Sequence, residues 1–368
     1  MKSLLITYFI LVITNFIAQT SNEQGIEVRQ KVGFLAAHKG IMAHLPVELG
    51  KAVEITYYQH TKGIKKWHKA YNYPTIGATL FIGSVGNNEV LGRYVGTYGF
   101  VELPLIKYKN YEFNWKLGSG FGYTNKSYDP IENPKGMAIG SRVDAMICVG
   151  VKSIYRFKGN ALTLGLDMTH FSNAAFQVPN FGINMPYVSV GYARRLSAEK
   201  PIVETHDFDY PLKKWLYGVY GIFSMKQIMP IGGKRYPVYA GGFAVRRFFS
   251  HKAGIEVDLD IISKQAILGY ETLVPKTQFR MIQLGIYAGY LVPLDHFHFI
   301  FGMGAYVRDY YKPEDPVYHR IGMRYQFSNG LIANFTLKTH FARADYMELG
   351  LGYTINYQKM RQAKIIFD

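Results

Sequence analysis

The feature that most constrains the fold is a recurring run of about ten residues in which apolar and polar side chains alternate. Successive side chains of a β-strand point to opposite faces, so this alternation predicts strands with one apolar and one polar face. Turn signals such as Gly86-Asn87-Asn88 and Lys158-Gly159-Asn160 separate the runs. The pattern therefore predicts an all-β protein built from consecutive antiparallel strands.

The runs form two sets of eight, and eight strands are the smallest number that closes a membrane barrel. We expect two eight-stranded antiparallel barrels, with one barrel of about 16 strands as the alternative. The first set is predicted at Ile26–Ala36, Ala52–Gln59, Tyr73–Ile82, Val90–Val101, Tyr111–Tyr123, Ser141–Phe157, Ala161–Ser172 and Tyr187–Leu196. The second is predicted at Trp215–Met225, Pro237–Phe249, Gly254–Ile262, Met281–Val292, His296–Val307, Val317–Phe327, Leu331–Phe341 and Tyr346–Tyr357.

Composition favours a β-barrel that lies in a membrane. The chain is 48% hydrophobic and contains 30 Tyr, 24 Phe and 37 Gly, which suits many strands, tight turns and aromatic girdles at the lipid headgroups. Beyond the N-terminal segment, no apolar run reaches the length of about 18 residues that a membrane helix needs. The single cysteine, Cys148, excludes an internal disulfide framework.

The N-terminus reads as an export signal. Met1-Lys2-Ser3 precedes an apolar run from Leu4 to Ile17, and small residues follow near position 20, which is typical of a secretory signal peptide. We assign residues 1–20 to this peptide, 21–197 to the first barrel, 198–214 to a charged linker and 215–368 to a second, degenerate barrel-like repeat.

The net charge of +16 points to an anionic partner. Lysine and arginine are scattered among strands and turns rather than gathered in one block. For an exported protein, anionic lipid headgroups are a more natural partner than nucleic acid. We therefore expect a membrane and no nucleic acid as partner.

The two halves of the chain also share short sequence segments. Gly96-Thr97-Tyr98 has a counterpart in Gly285-Ile286-Tyr287. Tyr155 and Phe157 precede Thr169-His170-Phe171 in the first half. Tyr325 and Phe327 precede Thr339-His340-Phe341 by the same spacing in the second half. A repeat of roughly 170 residues suggests duplication of a whole barrel. Chance alignment of strands rich in glycine and tyrosine is the alternative.

One predicted strand ends with a histidine and a serine on its apolar face. His170 and Ser172 share the parity of Leu164, Leu166 and Met168, so they extend an apolar strand face. Polar side chains are costly on such a face without a reason. The strand end therefore predicts a functional site.

The residue types at this strand end suit acyl transfer. A serine hydroxyl becomes nucleophilic when a base takes its proton, and histidine is the usual base. Asn173 and, beyond a short turn, Asn180 could donate hydrogen bonds to an oxyanion. From spacing alone, His-x-Ser also fits a rim residue or a hydrogen-bond partner in the lumen.

The motif resembles that of a known family. His170-Phe171-Ser172-Asn173-Ala174, then Pro179-Asn180-x-Gly182 and a strand ending in Gly191-Tyr192, are similar to the lipid A 3-O-deacylase (PagL) / acyloxyacyl hydrolase family of outer-membrane barrels. The resemblance covers residues 25–197. It implies an eight-stranded barrel with its site on the outer wall, which hydrolyses the ester-linked acyl chain at position 3 of lipid A.

The resemblance assigns roles by position. It implies that His170 is the base, that Ser172 is the nucleophile, and that Asn173 and Asn180 lie at the oxyanion site. The family's orienting glutamate falls at Asn184 in this sequence. An asparagine can hold an imidazole tautomer, but it cannot stabilise imidazolium by charge.

The expected function is therefore an outer-membrane serine esterase acting on lipid A, in the lipopolysaccharide of the outer leaflet, without a cofactor. The alternative is a non-enzymatic structural or pore-forming barrel that keeps a degenerate site. The second half has His340 and Ala342 where the first has His170 and Ser172, so we expect it to be catalytically silent. His296 and His298 share a face, but with no third ligand evident we predict no metal site.

Overall fold

The computed structural model of the chain describes residues 22–203, 212–270, 275–341 and 343–356, which are mostly β-structure. The predicted signal peptide, 1–20, lies outside the described residues, as does the 204–211 part of the predicted linker. Among the described residues, no helix has the length and apolar character to cross a membrane. The described residues divide into two compact units, and each contains one barrel.

The first unit is a closed barrel of eight antiparallel strands. The strand β8 pairs with β1 from Gly25 opposite Arg195 to Gly33 opposite Tyr187, and this pairing closes the barrel. The strands are β1 (Glu23–Gly33), β2 (Gly50–His60), β3 (Thr75–Ser84), β4 (Arg93–Tyr108), β5 (Tyr111–Thr124), β6 (Val143–Phe157), β7 (Asn160–Ser172) and β8 (Ile183–Arg195). A short helix, α1 (Lys66–Ala70), lies between β2 and β3.

The second unit repeats this architecture. It closes where β16 pairs with β9, from Leu349 opposite Phe223 to Thr354 opposite Gly218. The strands are β9 (Trp215–Gln227), β10 (Arg235–Ser250), β11 (Ala253–Lys264), β12 (Ile282–Leu294), β13 (Phe297–Arg308), β14 (Val317–Gln326), β15 (Leu331–His340) and β16 (Arg343–Thr354), with helix α2 (Gln278–Met281) before β12.

Two closed eight-stranded barrels confirm the predicted fold class. The alternative of one barrel with about 16 strands is wrong, because the closing strand pair of each barrel lies within one half of the chain.

Each barrel has an apolar outer wall. On β7, Leu162, Leu164 and Leu166 are exposed, whereas the residues between them face the interior and are buried. This is the alternation of a membrane barrel, with apolar residues outside and polar residues inside. Exposed apolar side chains cover the strands of both units, a larger apolar surface than a protein in water keeps exposed.

Ion pairs fill the lumen of the first barrel. The Lys31 ammonium lies 3.1 Å from a Glu54 oxygen and 2.7 Å from an Asp167 oxygen. The Lys152 ammonium lies 2.5 Å from Glu102 and 3.2 Å from Glu27. Removing one partner of a buried pair typically costs about 3–5 kcal/mol, because the other charge is left uncompensated. These pairs therefore fix which strand residues face inward.

The second barrel is filled in the same way. The Arg320 guanidinium contacts Asp258 at 3.0 Å, Asp260 at 3.0 Å and Glu348 at 2.6 Å, and it is fully buried. Arg324 pairs with Glu256 beside it. Side chains, rather than a water-filled channel, thus occupy the interior at this level.

The sequence segments that the two halves share lie on equivalent strands of the two barrels. Gly96-Thr97-Tyr98 lies on β4 and Gly285-Ile286-Tyr287 on β12, the fourth strand of each unit. Thr169-His170 lies on β7 and Thr339-His340 on β15, the seventh strand of each unit. This correspondence is the one that duplication of a whole barrel predicts.

Two strand ends extend furthest beyond their predicted bounds. The strand β4 ends at Tyr108 rather than Val101, and β8 begins at Ile183 rather than Tyr187. Proline caused both errors, because a residue without a backbone N–H suggests a strand end. Here a register shift absorbs Pro104, and Pro186 remains in the ladder opposite Met168. The earlier start of β8 brings Asn184 into the strand.

Each half of the chain should fold without the other. We expect residues 1–203, and residues 212–368 fused to segment 1–20, each to migrate as a compact species on an unheated gel and to shift on boiling. The physical reason is that every ladder partner of each barrel lies in its own half. Heat-modifiable electrophoresis of outer-membrane fractions measures this. Residues 1–182 are the control, because without β8 the first barrel cannot close. The expectation is contradicted if neither half folds alone while the whole chain shows heat-modifiable migration.

Candidate active site

The end of β7 places a histidine and a serine on the outer wall of the first barrel. His170 and Ser172 are half-buried and share the face of the exposed Leu166. Phe171, between them, points inward and is fully buried, with its ring centroid 5.9 Å from that of Phe81 and 4.5 Å from that of Tyr94. This aromatic anchor holds the strand end in register, so that its two neighbours face outward.

The imidazole of His170 is oriented from the neighbouring strand. Asn184 on β8 lies directly opposite His170 in the ladder, and its Oδ1 is 2.6 Å from His170 Nδ1. A carboxamide oxygen only accepts hydrogen bonds, so Nδ1 carries the proton and Nε2 has a free lone pair. A lone pair on Nε2 is what a general base needs in order to take a proton from a serine.

Gly182 leaves room for this imidazole. Its φ is +80°, and a Cβ atom added to it would lie 2.8 Å from His170 Cε1 and 3.6 Å from Nε2. Any other residue would therefore push the ring away and would also strain the backbone. The glycine is required for the position of the His170 ring as well as for the turn.

The hydroxyl of Ser172 is held by a side-chain amide. Ser172 Oγ lies 3.0 Å from Nδ2 and 3.2 Å from Oδ1 of Asn180. The same Oδ1 accepts the backbone N–H of Asn173 at 3.1 Å. Asn180 thus links Ser172 to the first residue of the turn, and it puts an N–H donor within reach of an oxygen that would develop charge at Ser172.

Asn173 turns away from the serine. Its Nδ2 donates to Ser141 Oγ at 2.7 Å, and that hydroxyl donates to Asp144 Oδ1 at 2.7 Å. The side chain is almost fully buried. The Asn173 side chain therefore ties the end of β7 to the start of β6, and only its backbone N–H faces the Ser172–Asn180 contact.

The turn after β7 is docked on the connection between β5 and β6. The backbone N–H groups of Phe181 and Gly182 donate to the Ala138 carbonyl at 2.9 and 3.1 Å. Ala174 and Ala175 have positive φ values of 55° and 62°. Left-handed conformations of non-glycine residues cost of order 1–3 kcal/mol and tend to occur at functional sites.

The carboxylates nearest in sequence point elsewhere. Asp167 faces the lumen, where it pairs with Lys31. Asp144 is buried on the inner face of β6, and Glu132 is exposed in the connection before it. The side chain that contacts the imidazole at Nδ1 is therefore an amide, that of Asn184.

The second barrel carries no outward counterpart of this pair among its described residues. His340 faces the lumen, because it shares the inward parity of Thr336 and Lys338, and its Nε2 lies 3.2 Å from Asp345 Oδ2. Ala342 lies outside the described residues. The equivalent strand end thus directs its histidine into the barrel and not towards the outside.

His340, Asp345 and Glu314 have potential ligand atoms within 4.8 Å of one another. Lys264 pairs with Glu314 at 2.7 Å and with Asp345 at 2.8 Å, and Lys226 pairs with both as well. Burial and the Asp345 charge favour protonation of Glu314, but the two lysines hold its pKa below its usual value. Two ammonium groups would repel a metal ion, so this is an ion-pair cluster.

His296 and His298 also have structural partners. His296 Nδ1 is 2.8 Å from the Gln326 carbonyl oxygen. His298 is buried in the lumen, with its ring centroid 5.2 Å from that of Phe248. The two side chains pack at one end of the second barrel.

Sequence reasoning missed two residues near the site. Ser141 joins Asn173 to Asp144, and His38 Nδ1 lies 3.1 Å from Asn184 Nδ2. His38 lies in the β1–β2 connection. Ser141, predicted as the first residue of a strand, lies in the β5–β6 connection, because β6 begins at Val143. Connections carry no strand alternation, so no periodic signal relates either residue to the site.

Two family models match this chain. Residues 51–193 match lipid A 3-O-deacylase (PagL), and residues 215–357 match the acyloxyacyl hydrolase C-terminal domain. The first match includes His170, Ser172 and Asn184, and the second covers the strands of the second barrel.

Among solved structures, the chain is similar to mutants of Rhodopseudomonas blastica porin. One triple mutant is 10% identical, with 91% of this chain and 99% of the porin covered and a TM-score of 0.19. Another is 10% identical, with 91% and 100% covered and a TM-score of 0.20. No curated protein matches the chain.

Substitution of Gly182 should disable the serine by displacing its base. We expect Gly182→Ala to reduce labelling of Ser172 by a fluorophosphonate probe by about 10²-fold, the order of loss that a misplacement of about 1 Å produces. Labelling is measured on the purified, refolded barrel by mass spectrometry.

Gly159→Ala is the matched control. Gly159 has the same φ of +80° in the turn at the other end of β7, but its added Cβ would meet no atom closer than 3.7 Å. Both variants carry the same backbone strain, so equal loss of labelling in the two would rule out the steric explanation.

Proposed function

Because the chain belongs to the lipid A 3-O-deacylase (PagL) / acyloxyacyl hydrolase family, we propose that it is an outer-membrane serine esterase that removes the ester-linked acyl chain at position 3 of lipid A. The observation that carries the proposal is the position of His170 and Ser172. Both lie on the apolar outer face of the first barrel, with Asn184 on the imidazole. Such a site meets a lipid substrate from the side, without extraction from the bilayer.

The chemistry follows from the roles of these side chains. His170 Nε2 takes the proton of Ser172, and the serine oxygen attacks the ester carbonyl carbon, whose bonding electrons move to the oxygen. The sugar oxygen then leaves and takes the proton from His170. Water repeats the sequence on the acyl-serine, which releases the fatty acid and restores Ser172.

The oxyanion has donors beside the nucleophile. Asn180 Nδ2, 3.0 Å from Ser172 Oγ, is free to turn to the oxyanion once the serine oxygen is acylated. The Asn173 backbone N–H, which donates to Asn180 Oδ1 at 3.1 Å, becomes the second donor when the Asn180 amide turns. Removing one such donor typically lowers kcat by about 10²–10³.

Basic side chains lie at the same end of the barrel. Lys39, Lys135 and Arg142 are exposed in the β1–β2 and β5–β6 connections, which border the site. Ammonium and guanidinium groups form charge-assisted hydrogen bonds with phosphates. They suit a substrate whose sugar carries phosphate groups above its acyl chains.

A non-enzymatic barrel is the second candidate. Asn184 favours it, because an amide provides no charge to stabilise the imidazolium of the transition state. The filled lumens count against its pore-forming version, since buried ion pairs occupy the interior of both units.

Expression of the whole chain in a host outer membrane tests the proposal. We expect lipid A to lose one 3-hydroxyacyl group, as measured by mass spectrometry, and the loss to disappear with Ser172→Ala, because the nucleophile is then absent. Ser153→Ala, on the outer face of β6, is the control that should retain activity. Unchanged lipid A with a heat-modifiable, correctly folded chain would refute the esterase.

A carboxylate at position 184 should accelerate the reaction. We expect Asn184→Glu to raise kcat by about tenfold or more, since a carboxylate stabilises the imidazolium that forms as Ser172 loses its proton. Initial rates on a purified lipid A substrate in detergent measure this. Asn160→Glu at the far end of β7 adds the same charge away from the site; a similar acceleration in that variant would show a general charge effect.

A further inference from the structure

We propose that His38 is a positioning residue that fixes the orientation of the Asn184 amide, and through it the tautomer of His170. This inference rests on the proposed esterase function of the same site. It concerns a residue in a connection, outside the strands and the motif that carry the catalytic groups.

The Asn184 amide lies between two imidazoles. Its Oδ1 is 2.6 Å from His170 Nδ1, and its Nδ2 is 3.1 Å from His38 Nδ1. The oxygen end only accepts hydrogen bonds and the nitrogen end only donates them. His38 Nδ1 therefore acts as an acceptor, and it holds the donor end of the amide away from His170.

The orientation of the amide decides whether His170 can act as a base. A rotation by half a turn about the last side-chain bond would present Nδ2 to His170 Nδ1. That nitrogen would then accept a hydrogen bond, and the ring proton would move to Nε2. A protonated Nε2 in a neutral ring has no lone pair with which to take the serine proton.

A glutamate or aspartate at this position needs no such control. Both carboxylate oxygens accept hydrogen bonds, so either one imposes the Nδ1–H tautomer. The side chain at position 184 thus needs a second hydrogen-bond partner because it is an amide and not a carboxylate.

The backbone beside His38 is fixed to the site. The Ala36 N–H donates to the backbone carbonyl of Asn184 itself at 2.9 Å, and the Phe34 N–H donates to the Pro186 carbonyl at 3.3 Å. On the other side, Met42 and Leu45 are fully buried in the core of the first barrel. The imidazole of His38 is exposed, yet both flanks of its short segment are anchored, so the ring stays within reach of the amide.

The test compares His38→Ala with His38→Asp. Alanine removes the acceptor, whereas aspartate keeps an acceptor atom at the distance of Nδ1 from the backbone. We expect His38→Ala to lower kcat for lipid A deacylation by at least about fivefold, the ratio that one ordinary hydrogen bond sustains, with KM unchanged. His38→Asp should retain the activity. His44→Ala, an exposed histidine of the same connection that contacts the Lys135 carbonyl, should have no effect.

The Asn184→Asp background separates positioning from a merely structural role. With a symmetric acceptor at position 184, His38→Ala should change kcat by less than about twofold. An equal loss of activity in the two backgrounds would show that His38 acts on the fold and would overturn the proposal.

Nuclear magnetic resonance of the histidine ring nitrogens provides a readout without turnover. We expect His170, assigned with His170→Gln, to carry its proton on Nδ1 in the native chain and in His38→Asp, and to show the Nε2–H form in His38→Ala. An unchanged His170 tautomer in His38→Ala would refute the positioning role. If His38→Ala shifts the His170 tautomer but the native, folded chain leaves lipid A intact, the proposed function is refuted and the positioning role is retained.

Discussion

The contact of Lys31 with Asp167 decides which way the seventh strand faces. The ammonium of Lys31 on β1 reaches across the lumen to Asp167 on β7 and to Glu54 on β2, and all three side chains are buried. A shift of one residue would place Asp167 in the apolar wall and leave Lys31 uncompensated, which is unfavourable for both. With Asp167 inside, His170 and Ser172 must lie outside, because they are three and five positions further along the strand.

This dependence explains why so much could be predicted from the sequence. The inward and outward sides of a strand follow from parity, so the outer position of His170 and the inner position of His340 could both be inferred. Strand number and antiparallel order follow from alternation and turns. These properties are local and periodic, and one sequence is enough to reveal them.

The remaining features depend on contacts between distant segments. The start of β8 at Ile183 was missed because Pro186 suggests a strand end, although the ladder continues through it opposite β7. Ser141 and His38 reach the site only because their connections fold back over one end of the barrel. Neither residue has a periodic pattern or a motif, so only the closed barrel relates them to His170.

Asn184 gives the site its particular character. A carboxylate on the outer wall would lie at the edge of an apolar medium, where an unpaired charge is costly. An amide avoids that cost, but it gives up the charge that would stabilise imidazolium, and it has two unlike ends. An amide at this position can therefore act only by orienting the imidazole, and it does so only when its own Oδ1 faces His170. The amide cannot fix that orientation alone. Since its Oδ1 must face His170, some group must occupy Nδ2, and His38 is in contact with it.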